Sequence, residues 1–157
     1  MKLKEIFETA EHFKNIVEEK SPMLNFCITF IRYKKSFKDC FRTDDPSPEH
    51  RYSSGVYLFC DEQDKVIYIG KAASGNLAHR IWHHLKTPTD TPEFLNSPWV
   101  TENYKPSTRE KIRKGKFTVS AIVVEPKELS SLLEVYLQTF HFMREDSKLP
   151  DLNNQIG

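Results

Sequence analysis

Apolar side chains recur every three to four positions between Lys2 and Lys20, at Ile6, Ala10, Phe13 and Val17, with Glu and Lys between them. That period predicts an amphipathic helix, ended at Ser21-Pro22 because proline cannot continue the ladder. From Met23 to Tyr33 the chain turns apolar, with Phe26, Ile28, Phe30 and Ile31. Its β-branched and aromatic content leans towards a strand, although periodicity leaves a buried helix open. The polar stretch Thr43 to Glu49 reads as a loop. It divides an N-terminal extension (1–50), packed on the main domain, from that domain (51–157).

Two β-rich runs, Gly55 to Cys60 and Lys65 to Gly70, flank the polar tetrad Asp61-Glu62-Gln63-Asp64. They predict an antiparallel hairpin. Pairing symmetric about Glu62 and Gln63 sets Cys60 against Lys65, Phe59 against Val66 and Tyr57 against Tyr68. Opposed residues share a face. The tyrosines would then lie on a face left free for chemistry, with Val56, Leu58, Ile67 and Ile69 on an apolar face covered by helices. Asn76 is the expected N-cap of a helix from Leu77 to Lys86. Leu77, Ile81 and Leu85 form its packing stripe, and Arg80 and His84, four apart, share another face. A proline-rich insertion follows at about 87–116. Phe117 to Glu125 reads as a strand, and a last helix carries Leu129, Leu133, Tyr136 and Phe140 at core spacing behind Pro126. The expected architecture is α/β of the α+β type: a small three-stranded antiparallel sheet flanked by helices.

Composition changes this picture little. A hydrophobic share of 38% with 11 Phe in 157 residues suits one packed domain. The formal net charge of +1 supplies no global attraction to nucleic acid, so any such attraction must be local. The one concentrated source is Lys105, Arg109, Lys111, Arg113, Lys114 and Lys116, opposed only by Glu110. This run reads equally as phosphate-contacting or as a solvated loop. Three cysteines without a CxxC pair suit a reducing compartment, and no apolar run is long enough to span a bilayer. A cytoplasmic, non-secreted protein without membrane contact is expected.

The candidate chemistry is a pair of phenols beside cations, with Glu134 set inside the apolar run Leu132 to Leu137. A carboxylate there is costly to bury unless it is paired or holds a metal. Singly, each position has an ordinary reading. Tyr57 and Tyr68 could be cross-strand partners, Arg80 and His84 a solvated helix face, and Asn153 a turn residue. No His/Cys spacing for zinc is present.

Together these positions resemble the GIY-YIG nuclease superfamily. Gly55-Val56-Tyr57 matches its first motif with valine for isoleucine, and Tyr68-Ile69-Gly70 followed by Lys71 matches its second. Arg80, His84, Glu134 and Asn153 fall on the family's later positions in order. The resemblance implies a metal-dependent endonuclease acting on DNA, restriction-like or repair-like, with one Mg²⁺ or Mn²⁺ on Glu134. It gives catalytic roles to Tyr57, Tyr68, Lys71, Arg80, His84, Glu134 and Asn153. A homodimer would let such an enzyme cut both strands. A catalytically silent nucleic-acid-binding module and an RNA-directed nuclease stand as alternatives.

Overall fold

A computed structural model describes residues 1–33, 50, 52–86, 118–153 and 155–157, with backbone only for 82–86. The elements run α1 (Leu3–Lys20), β1 (Cys27–Arg32), β2 (Gly55–Cys60), β3 (Val66–Ala72), α2 (Leu77–Lys86), β4 (Thr118–Glu125) and α3 (Leu129–Arg144). The fold is α+β. Its sheet has four strands in the order β1-β4-β2-β3, antiparallel throughout, where three were expected. The fourth is the apolar run after α1, which pairs along its whole length with β4, from Cys27 opposite Glu125 to Arg32 opposite Ser120. The first 33 residues therefore contribute a strand and a helix to the same sheet and core.

Helices cover both faces. On one face α1 and α3 pack Ile6, Ala10, Phe13, Leu133 and Leu137 against Val56, Leu58, Ile69, Ile122 and Val124. Each such side chain, removed from water, contributes about 1.5–3 kcal/mol before entropy is counted. On the other face Leu77, Ala78 and Ile81 of α2 pack against Tyr57, Phe59, Ile67, Ala121 and Val123. The sequence left the tyrosine face free for chemistry, but α2 covers it and Tyr57 is fully buried.

The hairpin also differs in register. Asp61 accepts from the amides of Gln63 and Lys65 through one carboxylate oxygen, at 2.9 Å each, and Asp64 takes a left-handed φ of 58°. The loop therefore has three residues instead of two. A bulge between Phe59 and Cys60 adds a second one-residue shift. One shift would move the tyrosines to opposite faces, and two return them to the same face. Tyr57 now lies opposite Gly70 and Tyr68 opposite Phe59, so the phenols are diagonal neighbours and not a directly opposed pair. The shifts also send Ile67 to the tyrosine side, while Val66 joins the face that Ile67 was expected to share with Leu58 and Ile69.

An apolar groove between α1 and β1, lined by Phe7, Phe30, Arg32 and Asp64, holds none of the candidate residues.

Candidate active site

The candidate residues meet at β3, the edge strand. Tyr57 and Tyr68 lie with ring centroids 5.8 Å apart, and Phe59 stacks on Tyr68 at 5.1 Å. The Tyr57 ring crosses Gly70. A Cβ on Gly70 would sit 2.8 Å from both Cζ and Oη of Tyr57 and 2.5 Å from Cε1 of Tyr68. The glycine is required here for close approach, not for turn conformation.

Arg80 reaches this edge from α2. Gly75, at φ 65°, donates to Ser54 Oγ at 2.9 Å, and the Leu77 amide donates to Ser53 O at 3.1 Å. These bonds fix the start of α2. The Asn76 carbonyl accepts from the Arg80 amide at 2.9 Å, but its Oδ1 finds no partner among the described residues, so the expected side-chain cap is not made. Arg80 is exposed, and its charge acts on both phenols.

Glu134 reaches the edge from α3, on the opposite face. It is 5% exposed, and its Oε2 lies 2.9 Å from Lys71 Nζ. The contact is an ion pair without hydrogen-bond geometry. Glu134 also acts electrostatically on Tyr57 and Tyr68. Guanidinium and carboxylate are thus each within electrostatic reach of both phenols.

Burial pushes both phenols above the ordinary phenol range; the mutual effect of the two hydroxyls raises Tyr57 further, and the opposing pull of Arg80 is smaller. The sequence suggested that Lys71 and Arg80 would depress a tyrosine towards basicity. Desolvation outweighs Arg80, and Lys71 is engaged by Glu134. Both tyrosines are therefore neutral hydrogen-bonding groups at ordinary pH. A stability consequence follows. Where the unfolded chain releases a phenol proton the folded chain keeps it, so this contribution is complete below about pH 10 and lost as pH rises beyond it. The urea midpoint should fall above about pH 10, and less steeply in Tyr57→Phe. Equal slopes in the two proteins would contradict the burial of this hydroxyl.

Asn153 holds the site strand from its open edge. Its Oδ1 accepts from the Ile69 amide at 2.9 Å and its Nδ2 donates to Ile69 O at 2.8 Å, while the Leu152 amide donates to Ile67 O at 2.9 Å. Gln138, one turn beyond Glu134 and 1% exposed, donates to the same Ile69 carbonyl at 3.0 Å and accepts from the Gly157 amide at 2.7 Å. Gln138 is the residue that sequence reasoning missed. The available signal was a second polar residue, four after Glu134, inside the stripe containing Leu133 and Leu137. Asn153→Ala strands the Ile69 amide, and a loss of about 1–3 kcal/mol in stability is expected from urea unfolding. A change under about 0.5 kcal/mol would contradict the bidentate contact.

The remaining expectations fall outside the described atoms. They are the side chains of His84 and Leu85, the loop at 43–49, Phe117, and Lys105, Arg109, Lys111, Arg113, Lys114 and Lys116 with the whole insertion.

A magnesium-sized ion takes oxygen ligands at about 2.0–2.1 Å and commonly uses one or two carboxylates plus substrate phosphate and water. Glu134 supplies one carboxylate, with an oxygen that makes no hydrogen bond. Among the described residues no group of three or more His, Cys, Asp or Glu could form a closed cage. The donor set therefore fits an ion completed by substrate. Among these residues no helix is long and apolar enough to cross a membrane. No protein-family model matches the chain, and no curated protein or solved structure matches it.

Proposed function

We propose that the chain is a metal-dependent endonuclease of the GIY-YIG type that hydrolyses DNA phosphodiester bonds. The observation that carries the reading is that Tyr57 and Tyr68 meet over Gly70, Lys71 beside them pairs with the buried Glu134, and both Arg80 and Glu134 act electrostatically on the two phenols. A phosphodiester needs positive charge around its non-bridging oxygens, a positioned water and a stabilised leaving oxygen. Arg80 and Lys71 supply the charge. Tyr68, neutral and partly exposed, orients water or phosphate by hydrogen bonding with the buried Tyr57 behind it, and His84 shares in proton transfer. Asn153 and Gln138 act as positioning residues through the Ile69 peptide. Glu134 holds Mg²⁺ or Mn²⁺, and a bound ion supplies Lewis-acid charge to the phosphate and leaving oxygen.

The basic run Lys105 to Lys116 serves as the backbone-contacting surface in this reading, and the protein acts inside the cell. Arg80→Ala should lower the single-turnover cleavage rate by about 10²–10³, the range for removing one transition-state charge donor. Stability should move by no more than about 0.5 kcal/mol, since the side chain is exposed.

The test is incubation of supercoiled plasmid, and of a matched single-stranded RNA, with the protein in Mg²⁺ or EDTA. Nicked plasmid in Mg²⁺ alone is expected. Binding without any cleavage would establish the silent module instead, and cleavage confined to RNA would move the substrate class.

A further inference from the structure

Lys71 Nζ sits 2.9 Å from Oε2 of Glu134, on the carboxylate that would hold the metal. We propose that Lys71 is the resident counter-ion of Glu134 and excludes the divalent cation until a phosphodiester draws the ammonium away, so that metal and nucleic acid load together. The inference rests on the nuclease reading for the identity of that incoming anion.

The two partners are unequal. Glu134 is fixed on a helix with its side chain 7% exposed, whereas the Lys71 side chain is 36% exposed on a flexible stem. A buried carboxylate needs a charge partner, and the ammonium at 2.9 Å supplies it in the resting protein. Hydrogen-bond geometry is absent from the contact, so nothing directional holds the lysine there. A dication on the same carboxylate would face the ammonium across a few ångströms at low dielectric, and the two cannot share it. Among the described residues Glu134 belongs to no group of three or more His, Cys, Asp or Glu that could hold a metal ion.

The backbone beneath the pair is pinned. Lys71 pairs with Val56 across the hairpin, and two residues earlier the Ile69 peptide is held by Asn153 and Gln138. Only the lysine side chain has to move. A phosphate entering beside Tyr57 and Arg80 offers it anionic oxygens and offers the metal its missing ligands. The lysine leaves one anion for another, and the ion arrives on a vacated carboxylate.

The experiment is a Mn²⁺ titration of the full chain, with free ion read by electron paramagnetic resonance, without DNA and then with a duplex oligonucleotide. Glu134→Gln with the same DNA gives the background. Without DNA, Lys71→Met should bind Mn²⁺ at least tenfold more tightly than the wild type. Added duplex should tighten wild-type binding by a clearly larger factor than it tightens Lys71→Met, which gains the phosphate ligands but has no ammonium to displace. Lys71→Gln keeps the comparison decisive if the methionine variant does not fold. Wild-type binding equally tight with and without DNA would overturn the proposal, as would Lys71 variants that bind no better than wild type. The plasmid assay separates the two ideas. A plasmid left intact in Mn²⁺ removes the nuclease reading, whereas a cleaved plasmid with unchanged Mn²⁺ affinity in the Lys71 variants removes only the counter-ion role.

Discussion

Glu134→Gln is expected to reduce magnesium-dependent nicking by at least about 10³-fold, the rate equivalent of several kcal/mol of metal-borne charge stabilisation. The amide keeps the shape of the carboxyl and removes its charge. It can accept hydrogen bonds but is a poor partner for a dication that leans on a single protein carboxylate. The fold should tolerate the change. Lys71 loses its anion, yet its side chain is 36% exposed and its ammonium can turn to water, so the stability cost should stay within about 1 kcal/mol. Thermal unfolding beside single-turnover cleavage separates the effects. Cleavage within tenfold of wild type would remove Glu134 from the chemistry.

Gly70→Ala should damage both fold and activity, although it adds one methyl group. The new carbon would meet the Tyr57 ring and hydroxyl at 2.8 Å and the Tyr68 ring at 2.5 Å. Tyr57 is wholly enclosed, so its ring has no open side to move towards. Overpacking of this kind costs about 1–3 kcal/mol. Whatever movement relieves the clash displaces the phenol hydroxyls, and an ångström of misplacement costs about 10² in rate. A drop in the urea midpoint together with about a hundredfold slower cleavage is expected. Wild-type behaviour in both would mean that the Tyr57 ring does not cross this glycine.

Element types were largely legible because the hydrophobic period declares them. The run Ile6, Ala10, Phe13 lies buried on α1. The helix containing Arg80 was legible from Leu77 to Lys86, and the strand after the insertion was legible through Thr118–Glu125, with Phe117 outside the described residues. Pairing was less legible. Two runs and a tetrad do not reveal that Asp61 gathers two amides or that Asp64 turns left-handed, and those local bonds set the register. The tyrosines stayed together only because loop and bulge each shift the ladder by one. The fourth strand was visible as an apolar run, but its partner, β4, lies across the polar loop and the hairpin, beyond the reach of local pattern. Within the site, the isolation of Glu134 in an apolar run pointed to a paired or metal-holding carboxylate, and it is paired. The upward shift of the phenols was hidden, because it depends on how completely α2 covers the tyrosine face. Gln138 was hidden for a related reason: its partner is the Ile69 carbonyl, which no side-chain pattern displays.

The most direct test is to locate the metal itself, by anomalous scattering from Mn²⁺ in crystals of the protein with a duplex oligonucleotide. The account predicts one peak at about 2.0–2.3 Å from a Glu134 carboxylate oxygen, at the edge strand that carries Tyr68 and Lys71, with Lys71 Nζ on a phosphate. A peak elsewhere, with Lys71 still paired to Glu134 beside bound DNA, would contradict it.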